Sequence, residues 1–382
     1  MKILLVGEYN SSHKTLKEGL ETLGHQVTVV GLGDGFKKRL VDINFRAPYK
    51  KGLAKKFNVL LYKLFKVDLY SESVKRQFFR NKHRFKDFDI VQLINENAFA
   101  TLPRTEKKIL QYLFDHNKHI FLLSCGLDYI SVKFAMDKKY RYNILTPYFE
   151  GKEDVENYKS IVKYLEPDFV DLHRFVYQHI QGVIASDMDY DVPLQGHPKY
   201  LGMVPNPIRI TDFKYHLPPT DGRIVIFHGI NRSNYIKKGN YLFEEALELL
   251  KQTHADRIEV VTVESVPYAT YIELFNDAHI LLDQVFAYDQ GFNALEAMAK
   301  GKVAFTGAEQ EWLDHFGLQA DTVAINALPD AEKIAGKLRW LVDHPEKIEE
   351  ISKNARAFIE QYHDHVKSAQ HYMDLWNSKL PK

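Results

Sequence analysis

A single cysteine, Cys125, in 382 residues leaves nothing for an intramolecular disulfide or for a zinc site built on two thiolates, and it suits a reducing compartment. Net charge is equally scarce. Fifty-one Lys and Arg against 50 Asp and Glu leave +1, so no global field draws nucleic acid or an acidic partner. No apolar run approaches the roughly 18 to 20 residues that cross a bilayer. The opening Met1-Lys-Ile-Leu-Leu-Val-Gly7 breaks too early for the core of a signal peptide. The sequence also lacks a Gly-x-Ser-x-Gly elbow and a Walker loop. Its 17 histidines show no metal-ligand spacing on a recognisable helix, and His363-Asp-His365, at i and i+2 in a helical tail, reads as solvated surface. A cytoplasmic protein with no resident metal or cofactor is expected.

What is present is core-forming material. At 45% hydrophobic and 13% aromatic residues, the chain is long enough for two to three domains at about 150 residues each. Lys2 to Val6 reads as a buried strand, followed by the loop Gly7 to Ser12, a helix through Leu16, Leu20 and Leu23, and a strand at Gln26 to Val30. Strands follow at Ile90 to Ile94, His119 to Leu123 and Gly182 to Ala185, with helices between. Such alternation predicts an α/β fold with a doubly wound parallel sheet. Proline and glycine then thicken from Met203 to Gly222, and a second series begins at Ile224 to His228. The division expected is 1–204 for a first domain, 205–222 for a linker, 223–362 for a second domain, and 363–382 for a terminal helix packing back on the first. Two such domains leave a cleft between the carboxyl ends of their strands.

One segment departs from the charge balance. Residues 37–86 hold sixteen Lys and Arg against three acids, interleaved with Phe45, Phe57, Leu60, Leu64, Phe65, Phe78 and other large apolar residues. Three readings stand: a segment lying on an anionic membrane surface, a solvated cationic face over an ordinary core, and, least favoured, contact with nucleic acid, which is not expected as a partner. The first adds the inner face of the membrane as a peripheral location.

The most informative stretch runs from Ile280 to Phe305. A strand enters the loop Asp283-Gln-Val-Phe-Ala-Tyr-Asp-Gln-Gly291, and a helix starts near Ala294 with Glu296 in or near its first turn. Backbone N–H groups at a helix start attract phosphate, and a carboxylate there accepts hydrogen bonds from a vicinal diol. The plain alternative is that Glu296 only complements the helix dipole. Spacing leaves the two level.

Asp283-Gln284 and Gly291-Phe-Asn-Ala-Leu-Glu-Ala-Met-Ala-Lys-Gly-Lys302 resemble the donor-site signature of family 4 glycosyltransferases, in particular bacterial surface-polysaccharide members. Phe227-His-Gly-Ile-Asn-Arg232 with Lys238-Gly239, Val263-Glu-Ser-Val-Pro267, and Pro205-Asn-Pro207 resemble that family's phosphate loop, base-covering segment and hinge. The resemblance runs from about Leu201 to Tyr362 and is weaker before that. It implies a GT-B fold and transfer of a sugar from a nucleotide-diphospho-sugar to a glycan or lipid-linked acceptor, retaining and independent of metal. It implies Arg232 and Lys238 as the cations meeting the leaving diphosphate, since a metal-free reaction needs fixed positive charge there. Gly229, Glu264, Val266, Tyr288, Asp289, Gln290, Gly291, Phe292, Asn293 and Glu296 would surround the donor. Gly7, Glu8, His13, Cys125 and Asp128 would face the acceptor or cleft.

Three positions depart from the family pattern. Tyr288 stands where an additional glutamate is usual, so Asp289 or Gln290 is expected to take over its sugar contact. Glu8 follows Gly7 where a second glycine is usual, and Cys125 stands where a histidine is frequent, more as a small buried hydrophobe than as a reactive thiol. Two further motifs are weak. Asp187-Met-Asp-Tyr-Asp191 mimics a metal-binding aspartate pair but reads as a helix start at the cleft, and Gly31-Leu-Gly-Asp-Gly35 follows the second strand rather than the first. A nucleotide-sugar epimerase and a non-catalytic nucleotide-sugar-binding protein remain as rival readings.

Overall fold

The computed structural model describes residues 1–32, 41–46, 48–49, 52–264, 266 and 268–380. Gly33 to Gly35 of the weak glycine motif, Ser265 and Pro267 of the base-covering segment, and 37–40, 47, 50 and 51 of the basic segment lie outside them.

Two parallel sheets form the frame. The first takes β1 (Lys2–Val6), β2 (Gln26–Gly31), β3 (Ile43–Asn44), β4 (Ile90–Leu93), β5 (His119–Ser124), β6 (Gly182–Ala185) and β7 (Tyr200–Met203), in the order β3-β2-β1-β4-β5-β6-β7. The second takes β8 (Ile224–Ile230), β9 (Ile258–Glu264), β10 (Ile280–Leu282), β11 (Val303–Thr306) and β12 (Ile325–Asn326), in the order β12-β11-β10-β8-β9. Helices cover both faces, so Ile3, Leu4, Leu5 and Val6 are wholly buried along one continuous apolar run. This is the α/β architecture of two doubly wound domains expected from the strand-helix alternation. The short strands β3 and β12 and the glycine-containing β7 lacked an apolar run long enough to be read in advance.

Strand order reverses beside β1 in the first sheet and beside β8 in the second, and open α/β sheets bind ligands outside the carboxyl ends at such switch points. The loops after β1, β4, β8 and β10 therefore hold the candidate site.

The tail ties the two halves together. Ile208 N–H donates to the His363 carbonyl at 2.7 Å and His365 N–H to the Ile208 carbonyl at 3.2 Å, so linker and tail cross side by side. His363 corrects the surface reading: it is buried, and its Nδ1 pairs with the Asn206 carbonyl at 2.8 Å. Burial lowers its pKa to about 4. A π-turn at Ile359–His363 changes the direction of the tail just before this crossing, which aims His363 inward. The last helix, His365–Asn377, then lies on helix Ser12–Thr22. Gly19 makes room for it, because a Cβ there would stand 2.1 Å from the His365 carbonyl oxygen.

Candidate active site

Beyond β8 the chain makes one tight turn at Arg232–Asn234 and reaches helix Asn240–His254 through Lys238 and Gly239. Gly239 is left-handed at φ +74°, and a Cβ would lie 2.8 Å from that of Val285, so only glycine lets the loop close against the chain leaving β10. Asn240, at the helix start, accepts from His228 Nε2 at 2.9 Å and donates to the Tyr235 carbonyl at 3.1 Å, which fixes the first turn. His228 is a contributor that sequence reasoning passed over, although it lies inside a quoted motif.

Lys238 Nζ is 2.9 Å from Asp283 Oδ1, across the β8/β10 switch point. The same oxygen accepts from Asn293 Nδ2 at 3.0 Å, and Asn293 Oδ1 accepts from the Tyr271 hydroxyl at 3.0 Å. Gly229 completes the chain of contacts, since a Cβ there would stand 2.6 Å from the Tyr271 ring. Asp283 and Tyr271 thus position Lys238, and Tyr271 is a second residue that carried no sequence signal.

Arg232 is placed apart from this group. It is exposed, stacks over Tyr235, and pairs through Nη2 with Glu264 Oε2 at 2.7 Å, which raises the guanidinium pKa and lowers that of the carboxylate. It would have to leave Glu264 to meet a phosphate. Val266 packs at the edge of the small core around Phe227 and Phe275. Gly291 caps helix Phe292–Ala299, and Phe292 is half-buried against the main core. Glu296 lies in the second turn rather than the first, too far along to complement the helix start, but at i+3 from Asn293 and so on the same face.

Tyr288, at the usual glutamate position, and Asp289 and Gln290, expected to take over its sugar contact, are engaged elsewhere. Tyr288 is buried, its hydroxyl accepts from Arg141 N–H at 2.9 Å, and the Arg141 guanidinium lies over its ring at 4.9 Å. Asp289 accepts from Met188 N–H at 2.9 Å, and Gln290 donates to the Gly307 carbonyl at 2.8 Å. Tyr288 and Asp289 serve the junction between domains rather than the cleft, and Gln290 is tied within the second domain. Around them Arg141 pairs with Glu309 and Glu311, each at 2.6 Å, and the Tyr142 hydroxyl bonds Glu309. No local pattern could have announced this, because its partners are about 150 residues apart in the chain.

Carboxyl groups of Asp187, Asp189 and Asp289 meet at the same junction, with oxygens within 4.8 Å of one another. Burial raises all three pKa values, that of Asp187 to about 7, and repulsion from Asp187 adds to the rise at Asp189 and Asp289. Protons or a cation could satisfy such a group.

In the first domain Gly7, at φ +89° and with its Cα side against Ile94, turns the chain at the switch point, and Glu8 accepts from Lys14 N–H at 2.8 Å. His13 does not face the cleft. It is wholly buried in a chain of donors in which Trp376 bonds Gln92 at 3.2 Å, Gln92 bonds His13 at 3.3 Å, and His13 Nδ1 bonds the Gly7 carbonyl at 2.9 Å. Burial brings its pKa down to about 4, so it is neutral and structural. Cys125 is buried, which pushes its thiol far up and makes a thiolate unavailable. Asp128 corrects likewise: it caps helix Tyr129–Met136 through Ser131 N–H at 2.8 Å and also bonds Ser124.

Between the domains a cleft of about 240 Å³ is lined by Leu127, Val132 and Tyr190 on one side and by Asn234, Lys238 and Phe286 on the other. Lys238 is the predicted cation that this cleft reaches.

Two doubly wound sheets facing each other across such a cleft define the GT-B fold of glycosyltransferases. Residues 239–374 match a family model described as Glycosyl transferase-like. No curated protein sequence matches the chain. Sucrose-phosphate synthase from Thermosynechococcus elongatus superposes with a TM-score of 0.62 at 13% identity, over 99% of this chain and 98% of that one. Anabaena HepE in complex with UDP and glucose does so at 0.59 and 14%, over 99% and 100%. A Listeria monocytogenes protein described as a UDP-N-acetylglucosamine 2-epimerase gives 0.53 and 12%, over 97% and 94%.

Proposed function

We propose that the protein transfers a hexose from a nucleotide-diphospho-sugar to a glycan or lipid-linked acceptor in cell-surface polysaccharide synthesis, as a retaining, metal-independent member of glycosyltransferase family 4. The observation that carries this reading is Lys238, held by buried Asp283 at the β8/β10 switch point and reaching the interdomain cleft. A nucleoside diphosphate develops negative charge as it leaves. Lys238, the N–H groups opening helix Asn240–His254, and Arg232 once released from Glu264 would meet that charge, and preorganised donors of this kind stabilise a transition state most. Glu296, on the face of Asn293, is assigned to the nucleotide ribose.

The crystal of Anabaena HepE with UDP and glucose supports a nucleotide-sugar donor for this fold. An epimerase is the second reading, since the Listeria monocytogenes protein shares the architecture. Incubation with nucleotide-sugars separates the two. Release of nucleoside diphosphate that requires an acceptor, abolished in Lys238→Ala and Glu296→Ala proteins of unchanged circular dichroism, is the expected result. Epimerised sugar from donor alone, or full turnover in either variant, would reject the transferase assignment.

A further inference from the structure

Helix Gly52–Phe65 inverts the usual rule for a helix on a globular domain. Residues recurring at i, i+4, i+7 and i+11 share one stripe about 100° wide and ordinarily face the core. Here they are Leu53, Phe57, Leu60 and Leu64, and they are 82%, 54%, 52% and 64% exposed. Val59, Tyr62 and Phe65 add further exposed apolar surface. The one buried residue of the helix is Asn58, which donates to Asp68 Oδ1 at 2.6 Å and accepts from Leu69 N–H at 2.7 Å. A polar residue therefore moors the helix while its apolar side faces out. Single exposed hydrophobes are commonplace, but a contiguous stripe marks an interaction surface.

The neighbouring basic helix shows the ordinary arrangement. Leu69–Arg80 buries Tyr70, Val74 and Phe78, and Phe78 stacks on Phe85 within the core at 4.7 Å. The aromatic residues of the basic segment thus divide into core members and the outward stripe of one helix.

Lys55, Lys56 and Lys63 accompany the stripe, Lys66 follows it, and no acid occurs between Gly52 and Val67. A second copy docking face to face would set these cations against one another. A layer of lipid phosphates complements them, while the acyl boundary receives the leucines and phenylalanines. We infer that helix Gly52–Phe65 lies in the interface of an anionic bilayer, with its Leu53-Phe57-Leu60-Leu64 stripe below the headgroups and its lysines among them. The inference stands on this helix alone and holds whatever the cleft catalyses.

Sedimentation of the full chain with phosphatidylcholine vesicles, and with vesicles of phosphatidylcholine and phosphatidylglycerol in equal parts, tests it. Binding to the mixed vesicles only, weakened by salt, is expected. Leu60→Glu/Leu64→Glu should abolish binding with an unchanged melting temperature, since both side chains are exposed, and Lys56→Glu/Lys63→Glu should weaken it by about tenfold or more. No sedimentation with anionic vesicles, undiminished binding of Leu60→Glu/Leu64→Glu, or a dimer in sedimentation velocity that this variant dissolves without vesicle binding would each overturn the inference.

Discussion

Lys238 stands 2.9 Å from Asp283 with the acid's side chain 1% exposed and the lysine's 34% exposed, so the acid is sealed in the fold while the lysine side chain borders the cleft. The pair is asymmetric by construction. The buried oxygen sets where the lysine lies, while the exposed end stays free to meet a second anion.

Replacing the acid should therefore damage positioning before it damages binding. Asp283→Asn keeps an acceptor for Asn293 but removes the charge that holds Lys238. Turnover is expected to fall more than nucleotide affinity, a kcat effect of about tenfold or more measured beside nucleoside diphosphate calorimetry. Lys238→Ala instead leaves Asp283 buried with Asn293 alone, and a loss of about 1–3 kcal/mol in denaturant unfolding is expected. Equal kcat in wild type and Asp283→Asn would show that the lysine is positioned by something else.

The closed junction rests on Arg141, which reaches Glu309, Glu311 and the Tyr288 ring from the opposite domain. Arg141→Ala strands Glu309 with Tyr142 and Asn326 only. Small-angle scattering should report a larger radius of gyration in solution, with a loss of a few °C in melting temperature, in line with about 1–3 kcal/mol for depriving the buried Glu309 of its half-exposed partner. An unchanged scattering curve would mean that the junction is held elsewhere.

Two opposed titrations overlap between about pH 4 and pH 6.5. His13 and His363 are neutral in the fold, with pKa values near 4, whereas the unfolded chain protonates them near 6.5. The unfolded state binds more protons in that window, so stability drops as pH falls through it, by up to about 3 kcal/mol per ring. For Asp187, Asp189 and Asp289 the sign reverses. The folded state keeps protons that the unfolded chain has released above about pH 4, so stability declines as pH rises towards 7 and beyond. Melting temperatures of the wild type recorded from about pH 4 to pH 8 therefore report the difference between the two effects, and variants separate them. His363→Asn should make the melting temperature decline more, or rise less, between about pH 4 and pH 6.5, and Asp289→Asn should do the opposite. A variant whose melting temperature follows pH as that of wild type does would remove its residue from the account.

Periodicity made β1, β2 and most of the second domain legible, because a parallel strand buried on both faces must be a short apolar run and its helices must carry a stripe. The turn requirement of a chain closing on its neighbour made Lys238-Gly239 legible too, since a left-handed residue pressed against Val285 leaves little choice but glycine. Amino-acid order alone therefore determined the layers, the cleft and the loops that edge it. Tertiary structure decided which polar side chains enter that cleft. His13, Cys125 and Asp128 sit at the carboxyl ends of strands or start helices, as site residues do, yet the bond from Gln92, burial in the core and the bond from Ser131 turn them into core and cap. Tyr288, Asp289 and Gln290 lie in a donor-like loop, yet Arg141 and Met188 claim the first two for the domain junction and Gly307 ties the third within its own domain. A side chain's direction depends on contacts made by residues far away in the chain, and those contacts exist only once both domains have folded against each other.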